Sequence, residues 1–234
     1  MEEKKGTLPP EAYRPLAPGE KYRPLVPPEK IIPEVTTRSV LWGLVMALLF
    51  TFSMAYLGLK VGTVPEAAIP IAILAVGIGY TYSRKNTILE NVIIQSIGAA
   101  SGALVAGAIF TIPALFIIGL PIDIFKIFLS TFLGGCLGIL FLIPLRRYFC
   151  VEQHGKLPFP EATVTTEILV SSEGGKDQAK PLILGVVVAS IYEFLAIGVR
   201  LWNEVITFRF IPFMDRLAEK TKMVLKIDAL SAFL

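Results

Sequence analysis

Amide and carboxyl side chains occur at regular positions inside the apolar stretches of this 234-residue chain. Asn91 and Gln95 lie four residues apart and share a helical face with Gly98 and Gly102. A stripe of amides and small residues faces either a partner helix or a polar cavity, because lipid cannot satisfy amides. It therefore predicts either an interhelical amide clamp or a ligand-facing surface. Glu90 lies beside this stripe.

Glu193 is the one carboxylic acid in an apolar run that begins at Pro181. An ionised carboxylate near the middle of a bilayer costs roughly 2.5–3.5 kcal/mol on insertion scales. We therefore expect Glu193 to be protonated, paired or facing water. A proton-coupling or substrate-binding role and a structural ion pair are the two interpretations that follow.

Two further acids directly follow prolines, in the order typical of helix starts. Glu66 follows Pro65, and Glu161 follows Pro160 and precedes Thr163 by two residues. The helix after Pro160 is either an ordinary surface helix or one whose positive N-terminal end faces an anion. Glu66 is accordingly either part of a helix start or the end of a polar path.

The composition indicates the elements that must position these residues. Apolar residues make up 54% of the chain and charged residues 18%, against roughly 25% in soluble domains. The mean hydropathy is +0.66. These values exclude a disordered chain, a nucleic-acid-binding protein and a disulfide scaffold.

Five apolar runs are long enough to cross a bilayer core, which requires about 20 helical residues. We predict an all-α, polytopic transmembrane bundle of about five spans, with the start of a sixth near residues 229–234. Pro70, Pro113 and Pro144 should kink or break their helices, and the long third span should tilt or end near Pro113. The predicted spans are residues 39–59, 65–83, 91–120, 124–145 and 181–202.

The domain organisation follows from these spans. Residues 1–38 form a Pro-rich arm, which we expect to be extended and mostly disordered, with docking as the lesser alternative. Residues 39–234 form the N-terminal part of a transporter domain, in which the loop 151–180 carries a short helix. Fourteen Lys and Arg residues flank one side of the first four spans and two flank the other, which predicts a cytoplasmic N-terminus. Six basic residues after the fifth span conflict with this rule and leave the side of that segment open.

The sequence has no metal-ligand pairing of Cys or His, no phosphate-binding glycine loop and no serine nucleophile elbow. We therefore predict no metal site and no enzyme activity. His154, the one histidine, is either a loop residue or a proton relay. Cys136 and Cys150 are not expected to form a disulfide.

Several longer motifs resemble the oligopeptide transporter family, in the same order along the chain. The resemblance runs from about Ser39 to Arg200 and is greatest for the prokaryotic branch related to yellow-stripe-like metal-chelate transporters. The motifs are AYLGLKVG from Ala55, AAIP from Ala67, ENVIIQS from Glu90, GAIFTIPAL from Gly107, PLRR from Pro144 and KLPFPEAT from Lys156.

The resemblance implies secondary active, proton-coupled transport of small peptides or peptide-like metal chelates across the cell membrane. The chain would be the N-terminal part of a longer permease, and a non-transporting membrane assembly module left by truncation is the alternative. The expected partners are the lipid bilayer, the substrate and the rest of the polypeptide, with a homo-oligomer left open and no nucleic acid. We expect no bound cofactor, because the proton gradient supplies the driving force. The candidate pathway residues are Glu66, Glu90, Asn91, Gln95, Glu161, Thr163 and Glu193.

Overall fold

A computed structural model describes residues 6–17, 20, 22–84, 86–119, 121, 123–174, 176–195, 199, 205–206 and 227–228. The chain divides into two compact units, residues 1–183 and 184–234. Residues 205–206 and 227–228, which belong to the second unit, pair as two short antiparallel strands. The prediction of an all-helical membrane bundle is confirmed by the six helices of the described chain, α1 (Thr37–Val61), α2 (Ala68–Thr81), α3 (Ile88–Ile118), α4 (Ile124–Arg147), α5 (Pro160–Ser171) and α6 (Lys176–Glu193).

Three of these helices are long and apolar enough to cross a membrane, over residues 37–60, 88–118 and 124–152. Each falls on a predicted span. Helix α2 is also apolar but has only 14 residues. At 1.5 Å per residue it is about 21 Å long, which is less than the roughly 30 Å of a bilayer core. The predicted second span is therefore longer than the helix that forms.

Local sequence explains where the two longest helices begin and end. The Thr36 and Thr87 side chains cap α1 and α3, and each takes part in a reciprocal capping box with the residue three positions on. Both helices end at a glycine with positive φ, Gly62 at +81° and Gly119 at +75°. A glycine suits this left-handed position because it has no Cβ to clash with the backbone.

The prolines affect their helices differently from the prediction. Pro70 lies in the first turn of α2, where a missing N–H breaks no helical hydrogen bond, so a kink at Pro70 was wrongly predicted. Helix α3 continues through Pro113 to Ile118, and the alternative of a break near Pro113 was therefore wrong. Pro144 lies within α4, which passes into a π-helical turn over Tyr148–Glu152.

The core of the first unit is formed where α1 and α2 pack on α3, and α5 packs on α2. Small residues permit this packing, as the glycine spacing predicts. A Cβ at Gly98 would lie 2.9 Å from Ile71 Cγ2, and one at Gly43 would lie 2.9 Å from Ile97 Cβ. Both distances are too short for a side chain to fit without movement of its neighbour.

Helix α4 does not share this packing within the described residues. It contains no buried residue there, and a Cβ at Gly134 or Gly138 would meet nothing within 4 Å in the described chain. The spacing of Gly134, Gly135 and Gly138 by itself predicts a packing seam on the fourth span. Of the three, Gly135 has a described neighbour, since a Cβ there would lie 3.8 Å from Leu104 Cδ2 of α3. No described part of the chain packs against Gly134 or Gly138.

Described residues of the N-terminal arm contact α5 and the connection between α4 and α5. The Tyr13 hydroxyl donates a hydrogen bond to Glu167 of α5. The Nε2 atom of His154 lies 2.9 Å from the carbonyl oxygen of Glu11.

Candidate functional site

A cavity of about 620 Å³ lies in the first unit between the arm, the start of α2, α3 and α5. Its walls are mainly apolar, and its polar groups come from four separate segments of the chain. The residues that line it are Pro24, Leu25 and Val26 of the arm, Glu66 and Ala68 at the start of α2, Ile88, Leu89, Val92 and Gln95 of α3, and Glu161, Ala162, Thr165, Thr166, Leu169 and Val170 of α5.

Three of the candidate residues predicted from the sequence, Glu66, Gln95 and Glu161, line this cavity together. Glu66 stands two residues before α2, and its carboxylate accepts a hydrogen bond of 3.2 Å from the Ala68 backbone N–H. Glu66 thus accepts from the first N–H of α2 while Ala67 occupies the N-cap position, and the predicted helix start at Pro65 lies three residues too early. Pro160 is the first residue of α5, as predicted, and this places Glu161 in the first turn.

The two threonines of the cavity wall use their hydroxyl hydrogens within α5. Thr165 Oγ1 donates to the Glu161 carbonyl at 2.8 Å, and Thr166 Oγ1 donates to the Ala162 carbonyl at 2.7 Å. Their oxygens keep acceptor capacity towards the cavity. Because no Lys, Arg or His occurs among the described lining residues, the lining carries two carboxylates and no basic group. This chemistry suits a ligand with an ammonium group and apolar side chains.

Glu90 belongs to a different polar cluster. Only 1% of its surface is exposed, and its carboxylate accepts hydrogen bonds from Thr36 Oγ1 at 2.8 Å, the Thr87 N–H at 2.9 Å and Arg84 at 2.6 Å. The acceptor sites of Glu90 are thus used by protein donors. We call the set of Thr36, Arg38, Arg84, Asn86, Thr87, Glu90 and Asn91 the polar knot.

Asn91 is the second candidate residue in the polar knot. Its side-chain oxygen accepts a 3.0 Å hydrogen bond from Asn86, whose own oxygen accepts one from Arg38 of α1. Arg38 also donates to the Arg84 carbonyl at 3.0 Å. The knot therefore joins the start of α1 to the start of α3 and to the loop before α3. The amides of the predicted stripe separate, with Asn91 in the knot and Gln95 at the cavity.

The remaining candidates lie elsewhere. The Thr163 hydroxyl donates to the Phe159 carbonyl at 2.8 Å, and Thr163 is absent from the described cavity lining. Glu193 is the last residue of α6, and its side chain lies outside the described part of the structure. His154 is a loop residue whose ring contacts the arm. No group of three His, Cys, Asp or Glu side chains among the described residues could hold a metal ion.

Sequence reasoning missed the contribution of the arm to the cavity and of the arginines to the knot. The Thr87–Glu90 spacing was available as a signal, since Thr-x-x-Glu is a capping box and brings its glutamate back to the helix start. No signal in the sequence placed Leu25 or Val26 at the cavity, because the arm, α2, α3 and α5 meet there from separate parts of the chain.

The helices and the cavity define a polytopic α-helical membrane protein. A family profile described as "OPT oligopeptide transporter protein" matches residues 34–228, and the chain therefore belongs to the oligopeptide transporter family.

A relative from Haemophilus influenzae, provisionally named an oligopeptide transporter, is 35% identical to this chain over 149 residues. The alignment covers 62% of this chain and 23% of that relative. The chain therefore spans less than two thirds of the relative's length. No solved structure matches the chain.

Proposed function

We propose that this chain supplies a peptide-binding region of a membrane transporter for small peptides. The observation that carries the proposal is the meeting of Glu66, Gln95 and Glu161 at one cavity in a chain of the oligopeptide transporter family. The cavity volume of about 620 Å³ is within the range typical of small-molecule sites. The carboxylates would bind the α-ammonium group of a peptide, the amide would bind a peptide group, and the apolar wall would contact side chains.

The proton gradient is the driving force in this proposal, and no bound cofactor takes part. We place the transporter in the cell membrane. The count of basic residues supports a cytoplasmic N-terminus. The resemblance to the yellow-stripe-like branch supports peptide-like metal chelates as a further class of cargo. Such a chelate would be a substrate that enters whole, so the protein itself need not hold a metal.

Uptake by the full-length transporter in proteoliposomes tests the proposal, with a panel of small peptides and peptide-like metal chelates. We expect Glu66→Gln and Glu161→Gln each to raise KM for a peptide with a free amino group about tenfold or more, because each removes a charge-assisted hydrogen bond. N-acetylated peptides should lose this dependence on the two acids. Glu173→Gln, an exposed acid just beyond α5, is the matched control.

Unchanged KM in both variants would overturn the assignment of the cavity. Absence of uptake for every compound in the panel would instead favour a non-transporting assembly module.

Glu193 is the residue that we propose as the proton-loading group. A carboxyl group in an apolar helix favours its neutral form, since the charged form loses hydration, and it could load and release a proton. We expect Glu193→Gln in the full-length transporter to keep membrane insertion but to weaken the dependence of uptake on the pH gradient. Glu173→Gln, an exposed acid just beyond α5, is the control. Unchanged pH dependence in Glu193→Gln would assign a structural role to this acid.

A further inference from the structure

The arm is anchored against the α4–α5 connection at its upstream end. The Tyr13 hydroxyl donates to Glu167, and His154 Nε2 lies 2.9 Å from the Glu11 carbonyl oxygen. Because a carbonyl oxygen can only accept, that nitrogen must carry the hydrogen of the contact. The ring of His154 also meets the ring of Tyr22 edge to face, with centroids 5.7 Å apart.

The backbone of the arm also fits closely against this connection. Gly155 has φ +70°, and a Cβ built there would lie 2.3 Å from the backbone carbon of Arg14 and the backbone nitrogen of Pro15. Only a glycine therefore permits both the turn and the approach of the arm.

Two polar contacts fix the charge states at this end of the arm. Hydrogen bonds from Arg14 and from the Ala17 N–H hold the pKa of Glu20 at about 2. The hydrogen bond to Glu167 raises the pKa of Tyr13 to about 12. Neither Glu20 nor Tyr13 is expected to change charge between pH 5 and pH 8.

The arm is anchored again at its downstream end by the polar knot. Thr87 Oγ1 donates to the Pro33 carbonyl oxygen at 2.5 Å, and Thr36 Oγ1 donates to the buried Glu90 at 2.8 Å. The segment between Tyr22 and Pro33 is thus held at both ends by groups of the helical unit. Its middle, Pro24 to Val26, forms part of the cavity wall.

The composition of this segment suits a stiff cover. Prolines at 24, 27, 28 and 33 fix φ and reduce the backbone freedom that is lost on ordering. The Lys30 N–H donates to the Pro27 carbonyl at 3.0 Å and makes a turn just beyond the cavity. Because a stiff segment loses little conformational entropy when it is ordered, a few contacts at its ends are enough to hold it. Loss of these end contacts should therefore release the segment.

We propose that residues 22–33 form a strap that covers one side of the cavity and must move away before a ligand enters or leaves on that side. The strap acts as an intramolecular cover, held by the Tyr13 and His154 contacts at one end and by the knot at the other. The nature of the ligand rests on the proposed function, whereas the covering of one side of the cavity by the strap does not.

Thiol labelling of the 234-residue chain in lipid nanodiscs tests the strap, in a Cys136→Ser, Cys150→Ser background. The reporter is Thr165→Cys, at a cavity position that is 7% exposed. We expect Tyr13→Phe combined with His154→Ala to speed maleimide labelling of this reporter about tenfold, because two hydrogen bonds that hold the strap are lost. Deletion of residues 2–23 should speed it at least as much.

A second reporter separates strap release from general loosening of the fold. Ser101→Cys lies at a position that is 5% exposed and is absent from the described cavity lining. Faster labelling at position 165 with unchanged labelling at position 101 supports the strap. Equal acceleration at both positions, or no acceleration in both the double variant and the deletion, would overturn it.

The outcome of the labelling experiment does not depend on which substrate the transporter takes. If labelling responds as expected but peptides show no uptake, then the strap stands and the proposed ligand is wrong. If labelling does not respond while Glu66→Gln and Glu161→Gln impair peptide uptake, then the proposed function stands and the strap is wrong.

Discussion

Helices α2 and α4 are both apolar, yet only α2 packs inside the described protein. Ile71, Ala72 and Ala75 of α2 have no exposed surface, although this helix is only 14 residues long. Helix α4 has 24 residues, none of them buried within the described chain, and its large side chains, such as Phe132 and Leu140, are exposed. Apolar character alone therefore does not determine which helix is enclosed by protein.

The difference lies in what faces each helix. In lipid there is no hydrophobic drive between helices, so close packing and polar contacts decide which helices associate. Gly98 of α3 leaves room for Ile71 of α2. Near the C-terminal end of α2, the Tyr80 hydroxyl donates to the Ser172 carbonyl at 3.1 Å, and Trp42 of α1 donates to the Tyr82 hydroxyl at 3.2 Å. Helix α4 has glycines of its own, but two of them meet no described neighbour.

The largest expected effect comes from breaking the polar knot at the end of the bundle that encloses α2. Glu90→Ala removes a buried acceptor and leaves Thr36, Thr87 and Arg84 without their partner. We expect the free energy of unfolding of the chain in detergent micelles to fall by about 2–4 kcal/mol. The estimate is below the upper end for buried pairs because Arg84 is half exposed and can be hydrated.

The change is followed by thermal unfolding, with Glu29→Ala in the exposed arm as the matched loss of a carboxylate. Equal unfolding midpoints for the two variants would show that the knot does not hold the bundle. Glu90→Gln separates a structural role of Glu90 from a role in the transport pathway. If Glu90 only joins helices, then the full-length transporter with Glu90→Gln should keep part of its stability and should still take up substrate.

The next effect tests the fit of α2 against α3. In Gly98→Ala the new methyl group would lie 2.9 Å from Ile71 Cγ2, a branch methyl of a side chain with no exposed surface. Because neither side can move freely, we expect a loss of about 1–3 kcal/mol in the free energy of unfolding.

Gly107→Ala, on the same helix, is the matched control, since a Cβ there would meet nothing within 4 Å of the described chain. It should be neutral or slightly stabilising, because alanine favours a helix over glycine. If Gly98→Ala proved as harmless as Gly107→Ala, then the close approach of α2 and α3 would not be required. Circular dichroism melts of the two variants measure the difference.

The sequence predicted long helices better than it predicted their contacts. Charge-free runs gave the positions of α1, α3 and α4, because length and hydropathy are local properties. The predicted start of α2 at Pro65 was wrong, because the helix begins at Ala68, whose N–H donates to the Glu66 carboxylate. Gly43 and Gly98 mark the surfaces of α1 and α3 that pack closely, whereas among the three glycines of α4 the described neighbour is Leu104, near Gly135.

The candidate site was predictable in part for the same reason. Glu66, Gln95 and Glu161 were identified as polar groups in apolar surroundings, without knowledge that they line one cavity. Glu90 and Asn91 have the same sequence signal but pair with Arg84 and Asn86. Residue type identifies a polar side chain that needs a partner, and only the fold determines whether that partner is a protein group or a ligand.

The smallest expected effect concerns the exposed surface of α4. Leu140 is 62% exposed, so Leu140→Ala removes methyl groups that contact no tightly packed protein neighbour in the described chain. We expect the free energy of unfolding to change by about 0.5 kcal/mol or less. Met54→Ala in α1 is the comparison, since Met54 is 5% exposed and belongs to the core cluster, and its truncation should cost about 2 kcal/mol, the lower end for a buried methionine. Thermal melts of both variants in the same nanodiscs measure the contrast. A Leu140→Ala loss as large as that of Met54→Ala would mean that α4 is packed against protein, and its difference from α2 would then disappear.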